Sequence, residues 1–356
     1  MIGILVVFSS SVVLSVIAVA FILRLSRKKA WYDKIDHRKI HTGDIPRLGG
    51  IGFALVFIVI AAIISFSTGK SDSVRFLPCL LALVIILIFG VRDDFEPMSP
   101  KYKLLIQILA ALCVIIPGYT FRRISYFETG FLSGLGLLRY PLTVFWIAGL
   151  INAMNFIDGV DGLAGGLSAI IALTFACIFY FYSKTPWAVL FCTGLFGAIL
   201  GFLVFNAPVP GAKIFMGDGG SQFLGITLAL LPLLDNENTR AALPLPYAAA
   251  LLLIPIFDTV SAVWRRIRDK RRIDSPDKAH IHHKLLNLGF STLGVDLVLY
   301  TLQIVLGVLV FVSIKTDRWT SVFILAAAYL IGIAFFTIIH YLNLRVVHSA
   351  PHGAAS

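Results

Sequence analysis

Four short polar segments in this chain hold residue types that can do chemistry, and each lies against strongly apolar sequence. The first is Asp93-Asp94, in FGVRDDFEP. Two adjacent carboxylates at an apolar helix end are costly unless hydrated, metal-bound or paired. A divalent-metal or general-base site would use them, with Lys101 and Lys103 nearby to meet a phosphate; a solvated helix end beside Arg92 would also account for them. The second is Asn152-Ala-Met-Asn155-Phe-Ile-Asp158-Gly-Val-Asp161-Gly162. Spacings of three place Asn152, Asn155, Asp158 and Asp161 on one helical face if the preceding helix continues inward. Asp161-Gly162 would then cap the next helix, whose first N–H groups point into the site. Four polar side chains so spaced exceed what a capped turn needs.

The third segment follows Asn206 and reads Phe215-Met-Gly-Asp218-Gly-Gly-Ser221. An acid followed by Gly-Gly-Ser at a helix start lets backbone N–H groups approach an anion closely. The same acid can hold its counter-ion, Mg²⁺, which takes one or two carboxylates and completes its shell with substrate phosphates. The fourth combines the basic run Arg265 to Arg272 with PDKAHIHHK at 276–284. Basic runs are common in loops on the positive side of a membrane, and anionic headgroups would attract this one. The histidines His280, His282 and His283 are less easily dismissed. Zinc would use such a pattern, but no cysteine lies near and the flanking cations oppose a metal ion. A phosphate-binding set fits better.

The elements that must carry these residues are membrane helices. Hydrophobic residues make up 58% of the 356, charged ones only 14%, and 30 Lys and Arg exceed 19 Asp and Glu for a net charge of +11. A soluble globule carries about a quarter charged residues, so a soluble basic domain or an ordinary nucleic-acid binder is excluded, and no nucleic-acid partner is expected. A span needs about 20 apolar residues, and lipid leaves helices as the way to satisfy the backbone. The sequence predicts an all-α, polytopic integral membrane protein of about eleven transmembrane helices. They fall near 2–23, 49–68, 76–91, 104–120, 138–154, 163–182, 187–205, 220–234, 244–263, 294–314 and 319–341.

Basic residues set the orientation. Loops 24–48 and 264–293 hold eight Lys and Arg each, and with loops 92–103, 155–162, 206–219 and the C-terminus they form one side carrying twenty-one of the thirty. That side is expected to be cytoplasmic, with the N-terminus outside and the active site on the cytoplasmic face of a single catalytic domain, 1–356. The four cysteines all fall within predicted spans and show no disulfide or metal spacing. Transporters keep ionisable groups near mid-membrane or carry inverted repeats. Here Asp258 is the main acid within a span and no repeat is evident, so a nucleotide-sugar or lipid-phosphate transporter is disfavoured. Acids, cations and helix N-termini at one face suit phosphoryl transfer from a water-soluble donor to a lipid.

The ordered motifs RKIHTGDIPRLGGI (38–51), DD (93–94), NAMNFIDGVDGLAGG (152–166), NAPVPGAKIFMGDGGS (206–221), PIFDT (255–259) and PDKAHIHHKLLNLGFS (276–291) resemble one family. It is the polyprenyl-phosphate N-acetylhexosamine-1-phosphate transferases, relatives of phospho-N-acetylmuramoyl-pentapeptide transferase, and the resemblance is greatest to the branch that uses UDP-N-acetylglucosamine. The resemblance implies transfer of GlcNAc-1-phosphate from UDP-GlcNAc to undecaprenyl phosphate, with UMP leaving. Another UDP-HexNAc donor would use the same uridine and diphosphate contacts. It also implies Mg²⁺, or Mn²⁺ in its place, a bacterial inner-membrane location, a lipid bilayer as partner, and by analogy a homodimer. The product would begin O-antigen, common antigen or a teichoic acid linkage unit.

By motif position, Asp218 and Asn155 would hold the metal with the diphosphate. Phe215 would stack on uracil with Asp161 hydrogen-bonding it, and Asn152 belongs to the same binding set. Lys103 would reach a phosphate, and His280, His282 and His283 would grip the pyrophosphate and sugar. Asp93, Asp94 and Asp158 form the catalytic group, with Asp93 or Asp94 orienting or deprotonating the lipid phosphate. The second pKa of a phosphate monoester lies near 6, so removing Asp94 should cost positioning more than proton transfer. Direct attack and a covalent phospho-enzyme on Asp93 or Asp94 both fit these residues. Two segments depart from the family: Asp33-Lys34-Ile35-Asp36 replaces its Asp-x-Pro-Asn, and Phe95-Glu96-Pro97 follows the acid pair, so no DDxxD is present.

Overall fold

Long apolar runs broken by glycine, proline and charge give helices throughout, and a computed structural model shows how they pack. It describes residues 1–32, 45–67, 70–121, 135–183, 185–207, 209, 211–234, 243–272, 275, 277 and 279–349. The start of the first motif, with Asp33-Lys34-Ile35-Asp36, lies outside these residues, as do Lys278 and the C-terminal tail.

The helices are α1 (Ile2–Lys29), α2 (Gly49–Ser67), α3 (Lys70–Phe95), α4 (Pro100–Ile115), α5 (Arg139–Ile157), α6 (Leu163–Ile178), α7 (Pro186–Asn206), α8 (Gly217–Leu230), α9 (Leu245–Leu251), α10 (Leu253–Arg268), α11 (Ile281–Asn287), α12 (Thr292–Ser313) and α13 (Arg318–Ser349). Among the described residues there is no strand, only an isolated bridge between Tyr32 and Pro46. All eleven expected spans coincide with helical segments. Among the described residues eight helices are long and apolar enough to cross a membrane, or nine if α9 and α10 count as one broken span. At 16 and 14 residues, α4 and α8 are shorter than those eight.

The single span expected at 244–263 is in fact two helices meeting at 87°. Pro255 supplies the reason. It has no N–H to donate to Leu251, and its ring would collide with that carbonyl in a continuous helix. Restarting at Leu253 puts the proline in a first turn, where both defects vanish. The turn lets α10 leave the bundle's direction, carrying its basic end toward α5.

At the centre stands α8, buried on every side from Gly219 to Leu230. A helix apolar all round belongs there. Phe223 meets Phe53 and Phe57 of α2 edge-on at 6.1 Å, while Phe53 and Phe57 also pack on Phe202 and Phe191 of α7 at 5.2 and 4.8 Å. Small residues bring α1 against α7, where the Ser15 hydroxyl donates to the Ala198 carbonyl at 2.6 Å. The start of α2 meets that of α8 almost backbone to backbone: a Cβ on Gly50 would lie 2.3 Å from the Gly220 Cα. Gly49 and Gly50 donate to the carbonyls of Phe215 and Met216, each at 2.9 Å, and Phe215 donates to Pro46 at 2.7 Å. The glycine pair of the first motif therefore fixes the approach of the third.

Candidate active site

The four segments meet at one end of the bundle, where α3 and α5 finish and α8 begins. The acid pair at the end of α3 divides into two roles. Asp94, 3% exposed, accepts the amides of Asp218 at 2.9 Å and Gly219 at 3.0 Å, with Arg47 4.0 Å away. Its carboxylate thus takes the orphan N–H groups and positive end of α8. The expectation was that these amides would meet an external anion; the chain's own Asp94 meets them. Gly217 permits this by adopting φ +77, with no room for a side chain between the Arg47 carbonyl and Asp94. Asp93 turns the other way. It accepts the Met98 amide at 2.7 Å and pairs with the Lys103 ammonium.

Lys103 also lies 3.4 Å from Asp218 Oδ2, joining the two acids. Asp218 differs from the pair in being open, at 38% side-chain exposure against 2% for Asp93 and 3% for Asp94. Asn155 donates to Asp218 Oδ1 at 3.2 Å and to the Ser221 hydroxyl at 2.9 Å. Burial raises the Asp218 carboxyl, but hydrogen bonds from Asp93 and Asn155 and the charge of Lys103 outweigh it and hold the group below its usual value. It is therefore an anion across the working pH range.

The run from Asn152 to Asp161 is not one helical face. α5 ends at Ile157, and Asp158 takes φ −77 and ψ 60 at its C-terminal cap. An exposed Gly159 follows, and α6 begins after Gly162 at φ 83. A helix could not bring Asp158 and Asp161 round into this turn between two spans. Asp161 does not cap α6 either. Its carboxylate accepts the Ala212 amide at 3.1 Å, while Asn206 accepts the Gly162 amide at 3.0 Å and donates to the Ile214 carbonyl at 3.0 Å. Asn152 is engaged one turn below Asn155: it donates to Gln107 at 2.8 Å, accepts from it at 3.3 Å, and donates to the Ala148 carbonyl at 2.8 Å. That amide pair ties α4 to α5. Burial, followed by the charges of Asp218, Asp94 and Asp161, raises the Asp158 carboxyl to about 8.

Phe215 is half-buried beside this turn, its backbone fixed by Pro46 and Gly49. The histidine segment arrives from the other side. His280 Nδ1 lies 2.8 Å from Asp258 Oδ2, and the Ile281 amide donates to Asp258 Oδ1 at 2.8 Å. That carboxylate orients the ring and the start of α11 together. His282 packs on the turn, for a Cβ on Gly159 would fall 2.4 Å from its Nε2. The rings of His280 and His282 lie parallel at 5.8 Å, and His283 follows at 4.3 Å. Burial, then the charge of His283, depresses His282 to about 3, so this histidine is neutral.

Three contributors escaped the sequence reading. Asp258 stands as an acid within a span and in the motif PIFDT but without a role, and its partner lies 22 residues away. Gln107 is an amide inside an apolar helix, and that was its one signal. Arg266 was hidden in a run that orientation alone explains. It is 5% exposed, its guanidinium lies 5.6 Å over Phe156, and Phe156 in turn lies 5.6 Å from His280. Among the described residues its Nε and Nη1 have no hydrogen-bond partner. Its neighbour Arg265 is committed to Asp277 at 2.6 Å.

The assembly is therefore an open anionic oxygen flanked by a lysine and an amide, next to a wall of imidazoles and a buried guanidinium. Such a site can hold a polyphosphate and its counter-ion. Residues 76–235 match the family described as glycosyl transferase family 4. A probable undecaprenyl-phosphate N-acetylglucosaminyl 1-phosphate transferase of Bacillus subtilis (strain 168) is 35% identical, covering 91% of this chain and 89% of its own. An undecaprenyl-phosphate alpha-N-acetylglucosaminyl 1-phosphate transferase of Escherichia coli O157:H7 is 30% identical over 87% and 85%, respectively. One of the same description from Salmonella typhi is 32% identical over 73% and 70%.

Proposed function

The chain belongs to glycosyl transferase family 4, and from that premise we propose that it transfers GlcNAc-1-phosphate from UDP-GlcNAc to undecaprenyl phosphate, releasing UMP. The reading places the site at the cytoplasmic face of a bacterial inner membrane. The observation that carries it is the open Asp218, set against Lys103 and Asn155 at the start of α8. Relatives named for this activity supply the reaction.

The oxygen donors around Asp218 fit Mg²⁺. Among the described residues no three His, Cys, Asp or Glu are grouped to hold a metal ion unaided. That suits an ion that takes one or two carboxylates and completes its shell with substrate phosphates. Asp218 and Asn155 would hold it. When bound, it would neutralise diphosphate charge and stabilise the departing UMP. Lys103 spans Asp93 and Asp218, so it can pass from the acids to a phosphate oxygen as substrate enters. Asp94 accepts two backbone amides at the start of α8, and burial with the nearby Asp218 charge raises its carboxyl to about 7. Its part is to fix Asp218. Asp93, paired to Lys103, is better placed to orient the lipid phosphate. A half-buried Phe215 ring offers a face for the base, and Asp161 is bonded to the Ala212 amide three residues before it. Arg266 and the imidazoles supply donors to the sugar-phosphate side.

Purified protein given UDP-GlcNAc, undecaprenyl phosphate and Mg²⁺ should release UMP and form lipid-linked product. If no product forms with this or any other UDP-HexNAc, the reading fails. Product from a different UDP-HexNAc alone would keep the reaction class and change the donor.

A further inference from the structure

We propose that Tyr300 of α12 is a positioning residue for the nucleotide half of the donor, acting through the turn that carries Asp158 and Asp161. This rests on the reading above. The Tyr300 hydroxyl donates to the Gly162 carbonyl at 2.6 Å across 138 residues of sequence. Gly162 also receives the Gly166 amide at 2.8 Å, and its own amide goes to the Asn206 side chain at 3.0 Å. Both peptide planes flanking Gly162 are therefore held from outside. With φ at 83, their orientation sets the direction in which Asp161 leaves the backbone.

The approach of Tyr300 depends on a missing side chain. A Cβ on Gly166 would lie 2.0 Å from the Tyr300 oxygen and 2.1 Å from its Cζ. The glycine thus forms the seat for the hydroxyl, one turn into α6. Asp161 is anchored separately by the Ala212 amide at 3.1 Å. A short turn is consequently pinned by three elements: the end of α7, the segment leading to Phe215, and α12. Of these, α12 also carries a buried acid, Asp296, which feels the charge of Asp161 and the Tyr300 hydroxyl. A directed bond from α12 to this turn would hold Asp161 in place for a base stacked on Phe215.

The test is binding and kinetics of Tyr300→Phe in the full-length protein in detergent. The control is Tyr329→Phe, which removes an equally short bond to the Pro246 carbonyl at the first turn of α9. Loss of one hydrogen bond to a backbone carbonyl is worth about a fivefold change in an equilibrium constant. UMP affinity and KM for UDP-GlcNAc are expected to worsen about fivefold in Tyr300→Phe. The KM for undecaprenyl phosphate and kcat should stay within twofold, and Tyr329→Phe should match wild type in all. Discrimination between UDP-GlcNAc and ADP-GlcNAc should also fall in Tyr300→Phe. Unchanged UMP binding, or equal losses for both substrates, would overturn the positioning role. If the wild type binds no uridine nucleotide, the donor reading is what fails.

Discussion

The acid half and the cation half of the site are built in opposite ways. On the acid side, charges are met within the chain before any ligand arrives: Asp94 by two α8 amides, and Asp93 by Met98 and Lys103. On the cation side, donors are buried and left over. Arg266 Nε and Nη1 and His282 Nδ1 have no hydrogen-bond partner among the described residues. Buried groups of this kind cost stability until a partner arrives. The acid half is thus braced in advance around an open Asp218, with Asp158 raised by burial and its acidic neighbours, whereas the cation half is complete only with an anion. Phe156 joins the two halves, adjoining Asn155 in sequence and lying under Arg266.

The largest effect expected from this contrast is at the single open acid. Asp218→Asn keeps the shape and the Asn155 neighbourhood but removes the charge available to a counter-ion. Turnover should fall about a thousandfold, the scale of losing a preorganised electrostatic contact to reacting phosphates. The melting temperature should stay near wild type, since the carboxylate is partly open to solvent. UMP release by the purified variant measures this, and near-wild-type turnover would remove Asp218 from the metal role.

Asp94 tests the braced side. Replacement by alanine leaves two buried amides unpaired and should cost about 2–3 kcal/mol of stability, with activity falling about a hundredfold as Asp218 loosens. Asparagine keeps one carbonyl acceptor and should restore a good part of both. Denaturant melts with assays of the two variants separate the roles. Equal and complete inactivation at unchanged stability would instead make Asp94 a base.

Arg266 tests the unfinished side. Arg266→Met preserves the apolar stem over Phe156 and deletes a buried charge whose Nε and Nη1 have no hydrogen-bond partner among the described residues. Donor KM should rise about 10- to 100-fold, as expected for a charge-assisted contact to phosphate. Stability should hold or improve, because removing an uncompensated buried charge is rarely costly. A variant that loses stability but keeps its donor KM would contradict the contrast between the halves.

What the sequence revealed follows the same division. Spacing marks helices and their polar ends, so the all-helical membrane fold and the convergence of its motifs were legible, though not the number of spans. Local chemistry also marked Gly217 to Ser221 as a helix start. It could not show that the anion at that start is Asp94, 124 residues upstream of Asp218. Period-three spacing extended α5 through Asp161, because periodicity counts residues but does not register that Gly159 and Gly162 end the helix. Pro255 carried the break at Leu252 in plain view, although a continuous apolar window outweighs one proline. Arg266 was obscured for a physical reason: basic residues that orient a membrane protein have the composition of basic residues that bind phosphate.

The last expected effect concerns a proton on the acid half. Asp158 is raised to about 8 by burial and then by its acidic neighbours, against about 3.9 for an aspartate in an unfolded chain. Between those values the folded protein holds a proton that the unfolded chain has released. By linkage, its contribution to stability is greatest below pH 4, declines as pH rises toward 8 and levels off above. Asp158→Asn cannot make that exchange, so the fall in melting temperature between pH 5 and 8 should be shallower than in wild type. Mg²⁺ with UMP should flatten the wild-type curve as well, since a cation among these acids opposes the repulsion that retains the proton. Melting curves across that range, with and without Mg²⁺ and UMP, measure both effects. Parallel slopes for wild type and variant would mean that Asp158 is already ionised, and that the acid half tolerates one more charge than its packing suggests.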